Sequence, residues 1–253
     1  MRPKRQRSEI EGFESIDRWY QSDVGEYLLD ELESQLAPLL TTTFGYYSLQ
    51  IGCPGLARKL HSSCRIKHCF TLDNESSAQV KVVPSMLPIA SDSVDLVLLM
   101  HHLSDTDEPH AVLREAFRVL IPEGKLIIID FNPVSLWGLR HFVQSWLERV
   151  PFRGHYYTPR RIDDWMRLLG FDRHSHHRVG YLPPIQKLSI ARRLIWLEKG
   201  MKRWLPGASV LNMMVYKKSV SPLTPMRHRW VMRKLLPAKV ARSGVGCRVR
   251  HHR

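Results

Sequence analysis

Residues 87–129 read LPIASDSVDLVLLMHHLSDTDEPHAVLREAFRVLIPEGKLIII. The apolar run VDLVLLMHH precedes, and KLIIIDF follows, the segment EPHAVLREAFRVL, where Val112, Leu113, Ala116, Phe117, Val119 and Leu120 fall on or beside one helical stripe. An apolar run without alternation fits a strand covered on both faces, since neither face meets water. Strand, amphipathic helix and strand in this order form a βαβ unit, with PEG at 122–124 turning the chain into its second strand.

The pattern extends outward from this unit. Upstream, FGYYSLQIG (44–52) reads as a first strand, GLARKLHSS as a short helix, RIKHCFTLD as a second strand and AQVKVV as a third. Residues 13–40 place Trp19, Tyr27, Leu28, Leu32, Leu36 and Leu39 near helical spacing, which predicts a helical region interrupted near Gly25 and ended near Pro38. Downstream, residues 158–171 (TPRRIDDWMRLLGF) predict a helix with Thr158 as its cap, Pro159 in first position and Gly170 as its stop. HSHHRVGYLPP and ASVLNMMVYKK supply a sixth and a final strand. The expected fold is α/β, a Rossmann-like seven-stranded, mostly parallel sheet with helices on both faces. An N-terminal helical region precedes it, and helical insertions at about 132–157 and 183–206 follow the fifth and sixth strands. Residues 1–12 read as a basic flexible start, 13–218 as the domain, and 219–253 as a basic disordered tail.

This order of elements resembles the core of the class I S-adenosylmethionine-dependent methyltransferases of the type 11 group, which includes ubiquinone and menaquinone biosynthetic enzymes. In that family L-P-F-x-x-x-S-F-D precedes the fourth strand, and R-V-L-x-P-G-G leads into the fifth. Leu87-Pro88-Ile89, Ser93-Val94-Asp95 and Arg118-Val119-Leu120-Ile121-Pro122-Glu123-Gly124 stand in those places. The chain also resembles a narrower bacterial group, the YafS-like methyltransferases. It shares W-Y-x-S-x-x-G-x-Y-L-L at Trp19 to Leu29, F-N-P-x-S-L-W-G-L-R at Phe131 to Arg140, and L-L-G-F at Leu168 to Phe171.

The resemblance implies S-adenosyl-L-methionine as cofactor. Ligands of such sheets lie beyond the carboxyl ends of the strands, which places LQIGCPGLA (49–57) at the ligand end of the first strand. The family's first strand ends D-x-G-C-G-x-G, an acid holding the methionine amino group and glycines admitting the cofactor. Gln50, Ile51, Gly52, Cys53 and Gly55 occupy that frame, but the acid is an amide and Pro54 and Leu56 replace glycines. Asp73 lies where a carboxylate takes the ribose hydroxyls, the alternative being an exposed Asp in the turn DNES. Where the family often has an Asp for the adenine amino group, this chain has Val83-Pro84; these, with Met86 and Leu87, imply an apolar adenine slot. Met100 completes the cofactor set. His101 and His102, where the fourth strand ends, stand where the family's substrate meets the methyl group, and either can act as general base. A structural histidine at a strand end is the competing reading, and Asp130 and Asn132 are weaker candidates.

No N-P-P-Y or D-P-P-Y follows the fourth strand, and no Pro-Cys nucleophile, which argues against base amine and cytosine C5 chemistry. The insertions hold Trp137, Phe142, Trp146, Phe152, Tyr156, Tyr157, Trp196 and Trp204, which suit a small apolar, aromatic or lipid-like acceptor. His61, Cys64, His68 and Cys69 bring together ligand types for zinc. Their spacing straddles a helix end and a strand whose neighbours point to opposite faces, so no metal is expected. The four cysteines form no C-x-x-C pair and read as free thiols.

Charge is unevenly placed. The net charge of +14 arises entirely after Glu198, where fourteen Lys and Arg meet no acid. Such a region attracts nucleic acid or an anionic membrane surface non-specifically, and the 185–206 helix suits a membrane interface. No apolar run approaches a membrane span and the basic start lacks a signal core, so the cytoplasm is the expected location. Two further readings stand beside the enzyme: a methyltransferase-fold binding protein without turnover, and an RNA-associated methyltransferase that uses the tail.

Overall fold

The computed structural model describes residues 16–73, 78–139, 155–181, 200 and 202–219. Residues 1–12, the body of both insertions and all of the tail after Ser219 lie outside the described residues. The strands are β1 (Tyr47–Ile51), β2 (His68–Asp73), β3 (Val80–Lys81), β4 (Val94–Met100), β5 (Leu120–Phe131), β6 (Phe171–Val179) and β7 (Leu211–Lys218). The helices are α1 (Asp23–Thr41), α2 (Ala57–Leu60), α3 (His102–Asp105), α4 (Pro109–Val119) and α5 (Pro159–Leu168), preceded by a helical turn at 16–20.

One sheet runs in the order β3-β2-β1-β4-β5-β7-β6. Six strands span five residues or more, and β3 is a two-residue edge. Neighbouring strands from β3 to β5 pair in parallel, and β7 pairs antiparallel with both β5 and β6. The order reverses between β1 and β4, which opens a crevice at their carboxyl ends.

Alternation along each strand divides the core into two layers. Leu96, Leu98, Met100, Ile127 and Ile129 face α1 and α2, while Val97, Leu99, Leu126 and Ile128 face α4 and α5. On α1, Leu28, Leu32, Leu36 and Leu40 form one buried stripe. Each contributes about 1.5–3 kcal/mol of burial. Gln50 lies on the α1 side, one residue from Leu49 and Ile51 on the α4 side.

The helix boundaries depart from the sequence expectation. α1 passes through Pro38 to Thr41: the proline removes one intrahelical donor without ending the helix, and the hydroxyls of Thr41 and Thr42 donate to its carbonyl, one of those left open at the helix end, at 3.0 Å. Gly25 does not interrupt the helix. It sits in the first turn, capped by Ser22, whose Oγ accepts from the Gly25 N–H. The break falls at residues 21–22, and Gly25 is needed for approach: a Cβ there would lie 2.3 Å from the Trp19 carbonyl oxygen. That close fold-back lays the 16–20 turn across the ligand end of the sheet. The third strand shrinks to Val80–Lys81, while the fifth begins at Leu120 and includes the PEG segment.

The methyltransferase-like motif around β4 and α4 builds structure. Asp95 Oδ2 accepts the N–H groups of Tyr46 and Tyr47 at 2.8 and 3.0 Å and so tethers the start of β1. Arg118 donates to the carbonyls of Leu87 and Ile89, to Ser91 and to Glu115, which in turn accepts the Leu87 N–H. One guanidinium thereby fixes the turn that feeds β4.

Candidate active site

At the crevice, β1 ends in a turn with Gly52 at φ 88° and Cys53 at φ 47°. Pro54 then starts a single 3-10 turn, Pro54–Leu56, that runs into α2. Gln50, fully buried, directs its amide inward: Nε2 donates to the carbonyls of Gly52 and Cys53 at 3.1 and 3.0 Å. Gln50 is therefore the clamp that holds this unusual turn. Its Oε1 is buried without a donor.

The 16–20 turn lies against this loop. Asp17 Oδ2 accepts the Gly55 N–H at 3.1 Å, while Oδ1 is buried with no hydrogen-bond donor. The Cys53 thiol beside it is directed to the Met100 carbonyl, Sγ to oxygen 3.9 Å. Burial raises the Asp17 carboxyl above its ordinary pKa, against the opposing pull of the Gly55 N–H. Three residues on, the hydroxyl of buried Tyr20 meets His101 Nε2 at 2.8 Å.

His101 follows Met100 at the end of β4 with φ 53°, a left-handed conformation that costs a non-glycine residue about 1–3 kcal/mol and gathers at functional sites. Its backbone N–H is held by the Ile129 carbonyl, and its ring stacks on Phe131 with centroids 4.3 Å apart. Nδ1 lies 3.7 Å from Asp130 Oδ1 and has no closer partner. Asp130 Oδ1 also accepts from the Ser104 hydroxyl and the Phe131 N–H, and its Oδ2 is a buried acceptor without a donor. With Nδ1 carrying the proton toward Asp130, Nε2 is the acceptor for the Tyr20 hydroxyl; the tautomer follows from these neighbours. Burial raises the Tyr20 phenol well above its ordinary pKa, so it stays protonated. Tyr156 is raised likewise by burial, and then by Asp130.

The other predicted residues fall around this centre. Asp73 is the last residue of β2, in register with Lys81. Val83 and Met86 form a turn closed by the Met86 N–H on the Val83 carbonyl, and both side chains are exposed while Pro84 is buried. Leu87 packs with Leu49 and Ile51 in the α4-side core. His102 opens α3, and burial lowers its ring to a pKa of about 4. Asn132 is a structural tie: Nδ2 donates to the carbonyls of Gly207 and Ser209 at 2.7 and 2.9 Å, and Oδ1 accepts from Val134. Among the described residues no three His, Cys, Asp or Glu side chains gather as a metal site.

Sequence reasoning did not name Asp17, Tyr20 or Ser104 for the site. The trace of Tyr20 was the W-Y start, whose Trp19 packs edge-on against Phe131 and Trp137 at 5.6 and 5.5 Å; Asp17, two residues before it, left none. An apolar and aromatic wall of Trp19, Phe131, Trp137 and Tyr156 thus flanks the Tyr20–His101–Asp130 line.

Gln50 Oε1 and Asp17 Oδ1, two unsatisfied acceptors beside one turn, fit a cationic donor better than an anion. Residues 60–128 match the methyltransferase domain family. The chain is 34% identical over 218 residues to the uncharacterized protein YafS of Escherichia coli (strain K12), covering 83% of this chain and 85% of that one. Among solved structures, the methyltransferase bound by the Trm112 activator of Haloferax volcanii superposes with a TM-score of 0.60 at 16% identity, over 83% of this chain and 98% of that one. An S-adenosylmethionine-dependent methyltransferase of Archaeoglobus fulgidus superposes with a TM-score of 0.56 at 16% identity, over 75% and 94%.

Proposed function

The chain belongs to the YafS family and matches the methyltransferase domain family over residues 60–128, and from that premise we propose that it moves a methyl group from S-adenosylmethionine to a small apolar or aromatic acceptor. When bound, that cofactor supplies an electrophilic methyl group on a sulfonium centre. Gln50 and the backbone of Ile51, Gly52, Cys53 and Gly55 hold its methionine end at the turn after β1. Asp73, at the end of the neighbouring strand, takes the ribose hydroxyls, and Val83, Pro84 and Leu87 border the adenine, with Met100 closing the floor. The observation that carries this reading is the buried pair of unsatisfied acceptors beside a positive-φ glycine turn at the switch point of the sheet.

Much of the rate gain in such a displacement comes from alignment and exclusion of water. Where the acceptor must lose a proton, His101 receives it by way of Tyr20, whose hydroxyl is already 2.8 Å from Nε2, and Asp130 stabilises the imidazolium that forms. His102 remains neutral above pH 4 and serves as packing in this scheme. The aromatic wall from Trp19 to Tyr156 supports an apolar or aromatic acceptor.

Calorimetric titration with S-adenosylhomocysteine tests the reading. Micromolar to sub-millimolar binding is expected, and no heat at millimolar ligand removes it. Binding without methyl transfer to any panel of lipid-like or aromatic acceptors favours a binding protein that keeps the fold. That second reading draws on Pro54, which fixes a 3-10 turn where the family has a glycine.

A further inference from the structure

Asp17 is unusual for a surface-turn residue. It is one of two acceptors left unsatisfied beside the β1 turn, and it is the only one of them that bears charge. Among the described residues no Lys or Arg pairs with it; the ionisable groups that act on it are His101 at the end of β4, Tyr20 of its own turn, and the Cys53 thiol, a weak and uncharged hydrogen-bond partner. A purely structural acceptor for the Gly55 N–H needs no charge, since Asn or Ser accepts the same bond. A half-buried carboxylate with an idle oxygen is costly unless a cation arrives.

The other side of the turn lacks the charge such a cation requires. Gln50 is neutral, and its amide nitrogen is committed to the carbonyls of Gly52 and Cys53. Only its Oε1 remains as an acceptor. The glycine at 55 belongs to the same arrangement: a Cβ there would stand 2.8 Å from Asp17 Oδ2, so any side chain displaces the carboxylate. The Trp19 carbonyl packed on Gly25 sets the position of the whole 16–20 turn.

Resting on the cofactor assignment above, we propose that Asp17, delivered by the N-terminal helical turn, is the carboxylate that receives the α-ammonium group of S-adenosylmethionine, with Gln50 Oε1 as its neutral co-acceptor. A primary ammonium has three N–H donors, two of which the two unsatisfied oxygens take. The negative charge missing from the end of β1 is thereby replaced from a different element of the chain.

The experiment is titration of S-adenosylhomocysteine and of its deamino analogue, which lacks only the α-amino group, into wild type, Asp17→Asn and Gly55→Ala. Asp17→Asn is expected to weaken the amino ligand by about 10- to 100-fold, the range of a charge-assisted hydrogen bond, and the deamino analogue by less than about threefold. Gly55→Ala, which leaves Asp17 present but displaced, is expected to reproduce the amine-selective loss. Equal weakening of both ligands in both variants, or no weakening in either, overturns the role of Asp17. Wild type that binds neither ligand at millimolar concentration overturns the cofactor assignment itself, and the role of Asp17 with it. Wild type that binds both ligands equally overturns the ammonium site while the cofactor assignment stands.

Discussion

At the scale of single residues, His101 and His102 are neighbours with different environments. His101 is pinned by Tyr20, Phe131 and Asp130, whereas His102 is enclosed and its charged form disfavoured. The sign of the resulting pH dependence is fixed by burial. The His102 ring has a folded-state pKa of about 4, against about 6.5 when unfolded, so below pH 6.5 the unfolded chain binds a proton that the folded chain refuses. Stability falls as pH drops from about 6.5 to about 4, by about 3 kcal/mol from this residue, and is unaffected by it above pH 7. Urea unfolding at pH 7.5 and pH 4.5 is expected to show that loss in wild type, and His102→Gln to lose measurably less. Tyr20→Phe removes the hydroxyl paired with His101 and leaves Nε2 unpaired. It is expected to cost about 1–2 kcal/mol in urea unfolding while changing S-adenosylhomocysteine affinity by less than about threefold. A tenfold fall in that affinity would place Tyr20 against the cofactor instead of against His101.

At the scale of elements, the segment that made the fold legible is chiefly a clamp. Asp95 and Arg118 owe their place in the motif to backbone groups they satisfy at β1 and at the 87–91 turn, which explains how a chain can keep the motif while its β1 turn diverges. Arg118→Met is expected to cost about 2 kcal/mol, read by chemical unfolding, with faster amide exchange confined to residues 87–91. Lys218 does comparable work beside it, at the C-terminal end of α4. Its Nζ donates to the carbonyls of Phe117 and Leu120 at 2.9 and 2.7 Å and to Asp92 at 2.6 Å. Lys218→Met is expected to cost about 2–3 kcal/mol, because two buried carbonyls lose their donor. The strands and α4 were readable because period and apolarity report burial directly. The path of α1 through Pro38 was not, since a proline costs a helix one hydrogen bond but does not by itself end it, and the buried stripe of Leu36 and Leu40 on either side holds the last turns to the core. Nor was the role of the 16–20 turn, because Asp17 and Gly55 are 38 residues apart and meet only through the fold-back at Gly25.

For the whole molecule, charge and site occupy different parts of the chain. Residues 16–139 contain the crevice and every group discussed in it except Tyr156, while all of the net +14 resides after Glu198, nine of those cations within 220–253. Site affinity and non-specific electrostatic affinity are therefore expected to separate on deletion of residues 220–253. The cofactor product carries no net charge and surface charge is screened by salt, so its affinity is expected to stay within about twofold. Binding to single-stranded RNA is expected to behave oppositely, because each phosphate neutralised releases counterions. Log K against log salt has a slope of about −0.7 per contact, so removal of nine cations lowers the slope by as much as about six units. Fluorescence anisotropy of a labelled oligonucleotide across 50–300 mM salt, at concentrations chosen for each chain length, reads both changes. RNA binding that survives the deletion with its slope intact would place the contact on the domain itself, and the basic tail would then have no part in it.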